Sequence, residues 1–166
     1  MVTQLKPARL NGLRLTLLIA LLMSGCERER QESQYSDLTS AQVSVAWRGG
    51  WIPIWLPRSA KDIHEIHDLD TNRQLLAFEF EENDLPALRA ASVAAGAEEL
   101  RHLQTPDFNV AWWPRDLQNE RIAVAVNSGR FEIRTHADVE RYGDGIRRSV
   151  RAFLAIDGKN RAFIWR

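Results

Sequence analysis

Residues 15–23 form an apolar run, Leu15-Thr16-Leu17-Leu18-Ile19-Ala20-Leu21-Leu22-Met23, and this run decides which part of the chain is available to fold. Lys6, Arg9 and Arg14 precede it and the small residues Ser24 and Gly25 come after it, the order of a secretory signal peptide. A helix that spans a bilayer needs about 20 apolar residues, so a run of nine is too short for a permanent span. Residues 1–25 therefore read as a targeting segment, and the chain from Cys26 onward must carry the fold.

The run ends in Met23-Ser24-Gly25-Cys26, which resembles the lipobox of bacterial lipoproteins. Met23 departs from the Leu usual there, but its volume is similar. The resemblance implies cleavage before Cys26, its modification by lipid (palmitate among the acyl chains), and a mature chain that starts at that residue. Cys26 is the only cysteine, so no intramolecular disulfide competes for it. Each buried methylene contributes about 0.8 kcal/mol, so several acyl chains would make release from the membrane negligible. Glu27 stands where inner-membrane retention usually requires Asp, which implies an outer membrane and a domain facing the periplasm.

The formal charge of the whole chain is zero, with 22 basic and 22 acidic residues. Removing the three cations before Cys26 leaves 19 against 22, a mature charge near −3. Binding to nucleic acid needs a basic face that neutralises phosphates, so that partner class is excluded. The sequence implies no cofactor. It leaves the membrane, through the lipid, and an envelope protein as partners.

Glu27–Ser36 reads ERERQESQYS, without apolar periodicity, and this predicts a flexible tether over 26–36. Residues 37–166 then suffice for a single domain that buries a core without staples. Ser36 or Asp37 can cap a helix through about Arg48, stopped by Gly49-Gly50. Trp51-Ile52-Pro53-Ile54-Trp55-Leu56-Pro57 cannot be a central strand and reads as an extended packed segment. Asp68–Asn72 is turn chemistry ahead of the alternating Leu76, Phe78 and Phe80, which predicts a hairpin. One helix is expected from Asn83 or Asp84 to Ala91, with Pro86 in its first turn, and another from Ser92 to Leu103, weakened by Gly96. Pro106–Leu117 reads as irregular, and Ile122–Val126, Arg130–Thr135, Val150–Asp157 and Arg161–Trp165 read as strands. Asp157-Gly158-Lys159-Asn160 closes the last two into a C-terminal hairpin. The fold class expected is α+β with antiparallel strands.

Chemistry-bearing residues crowd at His64-Glu65-Ile66-His67-Asp68. A metal site or metal-dependent hydrolase would use His64, His67, Asp68 and Asp70, but the spacing of three between the histidines sends their rings to opposite faces of a strand. Asp68, Asp70, Asn72 and Glu79 imitate the ligand spacing of an EF-hand loop, yet Arg73 stands where that loop needs Gly. A hairpin turn in which Asp and Asn side chains bond nearby backbone accounts for the same residues. His102 and His136 are isolated, and no nucleophile elbow or second cysteine is present. Trp51, Trp55, Trp112 and Trp113 could line a binding groove or fill the core. Arg147, Arg148, Arg151, Arg161 and Arg166 could meet anionic head groups or form a solvated strand face.

Finally, W-I-P-x-x-L-P-x-S-A-x-x-I and then D-x-D-x-N, over residues 51–72, resembles small envelope proteins of the YbbD-head type. That resemblance brings no catalytic residue with it. The function expected is a non-enzymatic binding or accessory module of the envelope, with the metal-dependent hydrolase as the alternative.

Overall fold

A computed structural model describes the chain over residues 29–118, 121–141 and 147–166. These residues build one antiparallel sheet from β1 (Arg30–Asp37), β2 (Lys61–Asp68), β3 (Arg73–Glu79), β4 (Val93–Ala94), β5 (Phe131–Arg141), β6 (Arg147–Asp157) and β7 (Arg161–Trp165). The spatial order is β1-β2-β3-β7-β6-β5-β4. The short helices α1 (Leu38–Gln42), α2 (Val45–Arg48), α3 (Leu85–Ala90), α4 (Ala97–Arg101) and α5 (Arg121–Asn127) lie between the strands in sequence. The fold is α+β, as the sequence led one to expect.

Both faces of the sheet are buried. On the first, Ile63, Leu76, Phe78, Leu154 and Ile164 pack against Leu38, Ala41, Ile52, Leu56 and Leu88. On the second, Ile66, Leu75, Phe163 and Trp165 pack against Leu103, Phe108, Trp113, Leu117 and Ile122. A strand with two covered faces needs no polar alternation, which is why Gln74–Phe78 is buried without a break.

Hydrogen-bonding side chains decide where elements start and turn. The Asp37 carboxylate accepts the Ser40 amide at 2.8 Å and caps α1. Ser44 accepts the Trp47 amide at 3.0 Å and starts α2, so the single helix expected over 36–48 is two. In the C-terminal hairpin, Asp157 Oδ1 accepts the amides of Lys159 and Arg161 at 2.9 and 3.0 Å, and Asn160 takes the left-handed conformation (φ +58°) that such a turn requires.

Three expectations are corrected. The tether assigned to 26–36 is, from Arg30 onward, strand β1 at the sheet edge, its side chains exposed apart from half-buried Ser33 and Tyr35 and its backbone paired with β2 from Arg30↔Asp68 to Asp37↔Lys61. Ile122–Val126 is helix α5 and not a strand: Ile122 and Ala125 are buried one helical turn apart, while Val124, which would share the face of Ile122 in a strand, is 62% exposed. The helix expected over 92–103 is instead the short strand β4, paired with β5 at Val93↔Thr135, and then α4. Gly96, a poor interior helix residue, stands at the start of α4, where the Glu99 carboxylate accepts its amide at 2.8 Å.

Candidate functional site

Strand β2 sets the geometry of every candidate around residues 63–68. Side chains alternate across a strand, so Ile63, Glu65 and His67 share the first face and His64, Ile66 and Asp68 the second. The burial of Ile63 in one core and Ile66 in the other fixes that assignment.

On the first face, Glu65 and His67 form a buried pair. Glu65 is 0% exposed and His67 2%, and Nδ1 of His67 lies 2.8 Å from Glu65 Oε1. With Glu65 ionised, Nδ1 carries the hydrogen and donates it. The Trp51 indole stacks on the imidazole, centroids 4.0 Å apart and planes 10° apart. The Arg166 guanidinium carbon lies 5.0 Å from the Trp51 ring centroid, a cation–π contact. Gln74, opposite His67 in the β2–β3 register, donates its side-chain amide to the Trp51 carbonyl and exchanges backbone hydrogen bonds with Arg166 at 3.1 and 3.3 Å. Trp51 thus roofs a polar row, His67–Gln74–Arg166, at one end of the sheet.

Glu65 Oε2 is buried with no hydrogen-bond partner among the described residues. Burial pushes the Glu65 carboxyl above its ordinary range, while the His67 hydrogen bond and charge and the Arg166 charge pull it back. The pair is sealed under Trp51, and so its direct effect falls on the packing of this end of the sheet.

His64 faces the other way. Its Nε2 lies 3.2 Å from Asp62 Oδ1 and 3.3 Å from Gln34 Nε2, and its ring stacks on Trp112 at 5.5 Å. Trp112 in turn donates its indole N–H to Glu32 at 2.8 Å. The rings of His64 and His67 are therefore separated by the sheet.

Asp68 completes the β2–β3 turn. Its Oδ1 accepts the amides of Asp70 and Thr71 at 3.1 and 2.9 Å, and Arg30 Nε lies 3.5 Å from Oδ2. The Thr71 amide, first among these contacts, holds the Asp68 carboxyl below its usual range. Asn72 sits in the left-handed region (φ +54°), as a tight turn requires. Glu79 stands at the far end of β3, 3.8 Å from Lys61, so the residues that imitate an EF-hand loop in sequence are spread along a strand. Among the described residues, no group of three or more His, Cys, Asp or Glu side chains is placed to hold a metal.

The four tryptophans do not share a groove. Trp51 and Trp55 pack against the first core, Trp112 and Trp113 against the second, and Trp113 is only 4% exposed. His136 contacts Trp55 at 4.5 Å between centroids, and exposed His102 lies 3.2 Å from Glu98. Arg161 pairs with Asp157, Arg151 Nη1 donates to Glu99 at 2.5 Å, and Arg147 and Arg148 stand at the start of β6. Cys26, the lipidation candidate, lies outside the described residues, as does the targeting segment 1–25.

Residues 29–79 match the family model of the YbbD head domain. The match bears out the likeness carried by residues 51–72 and widens it to a structural unit: β1, α1, α2, the Trp51–Pro57 segment, β2 and β3. Glu65, His67, Trp51 and Gln74 all fall inside that unit, whereas Arg166 comes from outside it. No curated protein and no solved structure matches the chain.

Two members of the polar cluster escape a reading for metal ligands, Glu65 and Arg166. Glu65-x-His67 carries a local signal, since spacing of two places both side chains on one strand face. Arg166 carries none, because only the β3–β7 pairing brings it beside Gln74.

Proposed function

We propose that this chain is a lipoprotein of the bacterial envelope, anchored through lipid on Cys26 to the outer membrane and facing the periplasm. Its domain acts there as a non-enzymatic binding or accessory module for another envelope component. The match to the YbbD head domain and the signal-like order of residues 1–26 support the setting. The observation that carries the reading is the start of the sheet at Arg30, four residues after Cys26. An anchored cysteine would be joined almost directly to an edge strand, holding the whole sheet against the membrane. Among the described residues, no helix is long and apolar enough to cross a membrane.

The test is palmitate labelling and membrane fractionation of the full chain and of Cys26→Ser. The wild type should carry label and sediment with membranes, and the variant should do neither. A variant that remains with membranes at the wild-type level removes the proposal. Crosslinking in intact cells then identifies the envelope component held by the domain.

A further inference from the structure

Three side-chain atoms close a triangle at the bulge of β2. Gln34 Nε2 lies 3.2 Å from Asp62 Oδ1 and 3.3 Å from His64 Nε2, and those two lie 3.2 Å from each other. The fold brings them together by two devices. Gln34 stands directly across from His64 in the β1–β2 register. Between Lys61 and His64 the β2–β3 register shifts, and Asp62 takes the left-handed conformation there (φ +47°), which Asp tolerates better than most residues. Trp112, itself held by Glu32, stacks on the His64 ring and fixes its orientation.

No placement of hydrogens satisfies all three edges of the triangle. The Gln34 amide nitrogen only donates, and the ionised Asp62 carboxylate only accepts. If His64 Nε2 carries a hydrogen, it faces a second donor on Gln34; if it does not, it faces a second acceptor on Asp62. Turning the Gln34 amide over, which leaves the atom positions unchanged, sets its oxygen against the Asp62 oxygen. A cation removes the conflict. With the amide turned, an imidazole nitrogen, a carboxylate oxygen and an amide oxygen all offer lone pairs to one ion. The edges of 3.2–3.3 Å also match a tetrahedral shell, in which bonds of 2.0–2.1 Å separate neighbouring ligand atoms by about 3.3 Å.

We propose that Gln34, Asp62 and His64 bind a divalent metal ion of the zinc type, with the fourth position open to solvent. A donor set that includes an imidazole suits such an ion better than calcium, which takes oxygen ligands. The side chains of Asp62 and His64 are 56% and 21% exposed, so the ion has a path in. The site uses none of His67, Asp68 and Asp70, and it stands whether or not Cys26 carries lipid. Bound there, the ion joins β1 to β2 through side chains, reinforcing an edge strand that is otherwise held mainly by its backbone pairing.

Zinc is titrated calorimetrically into the metal-free full chain in detergent, and into three variants checked for folding by circular dichroism. His64→Phe keeps a ring for Trp112 to stack on, Asp62→Asn keeps a residue that tolerates the left-handed conformation, and Gln34→Leu removes the amide. The wild type should bind one equivalent more than His64→Phe, and Asp62→Asn and Gln34→Leu should hold that equivalent more weakly. Zinc held by exposed pairs elsewhere, such as His102 with Glu98, is common to all four proteins and cancels in the difference. Zinc should also raise the melting temperature of the wild type above any rise in His64→Phe. In the wild type alone, zinc should move the imidazole nitrogen resonances of His64 and leave those of buried His67 in place. Equal stoichiometry and affinity in wild type and His64→Phe, or His64 resonances that zinc does not move, overturns the site.

Discussion

Replacing Glu65 by Gln tests the buried pair beneath Trp51. Glutamine keeps an oxygen that can accept from His67 Nδ1 and removes the charge that burial disfavours. In the wild type, the folded-state pKa of Glu65 is raised, so the native state holds the proton more tightly than the unfolded state. The stability this contributes is fully present below the unfolded value, about 4.5, and is lost as pH rises through the folded pKa. Each unit of displacement corresponds to about 1.4 kcal/mol once both states are ionised. Against that recovery, exchanging a charge-assisted hydrogen bond for a neutral one costs about 1 kcal/mol. Glu65→Gln should thus gain on the wild type as pH rises from 4.5 to 8, ending near or above it in stability. Glu65→Ala, which leaves the imidazole N–H buried and unsatisfied, should lose about 3–5 kcal/mol. Urea unfolding monitored by tryptophan fluorescence measures all three, with Trp51 stacked on His67 as a local reporter. Asp37 and Asp68, whose carboxyls are held low by the Ser40 and Thr71 amides, destabilise the fold as pH falls, but they do so equally in each variant and cancel in the difference. A difference between wild type and Glu65→Gln that stays flat across this pH range would refute the reasoning.

Arg134 clamps the end of α3 to β5, with Nη2 donating to the carbonyls of Arg89 and Ser92 at 2.8 Å each and Nη1 to Glu132 at 2.6 Å. Arg134→Ala should cost about 1–3 kcal/mol through those unsatisfied acceptors and speed amide exchange around Ala90–Val93. Ile122→Ala should cost about 2–5 kcal/mol in thermal unfolding, while Val124→Ala stays within about 0.5 kcal/mol. Equal losses at both positions would indicate a strand and refute the helical placement of α5.

The parts of the fold written in short-range chemistry were legible. Asp157-Gly158-Lys159-Asn160 announced the last hairpin, and β7 spans the residues the pattern assigned to it. Asp68–Asn72 likewise announced its turn. Strand β1 was not legible because an exposed edge strand gains its stability from backbone pairing with β2, and its side chains carry no hydrophobic alternation. Ile122–Val126 misled for the converse reason: a run of small and β-branched residues favours a strand locally, and packing of Ile122 and Ala125 overrides it. At the site, the divergence of His64 and His67 came from their spacing alone. The pairing of His67 with Glu65 needed one further step of the same rule, but its enclosure by Trp51 and Arg166 depends on tertiary contacts that no local pattern encodes.

The order of the strands also sets a timetable. Strand β7 is inserted between β3 and β6, yet it is the last of the seven to be synthesised. Until it arrives, the matched 29–79 unit and the β5–β6 hairpin are two separate partial sheets, each presenting an open inner edge. Folding then amounts to closing a zipper from its final tooth, and a chain stalled or clipped before Arg161 would present two sticky ribbons to its neighbours where β7 otherwise closes that seam.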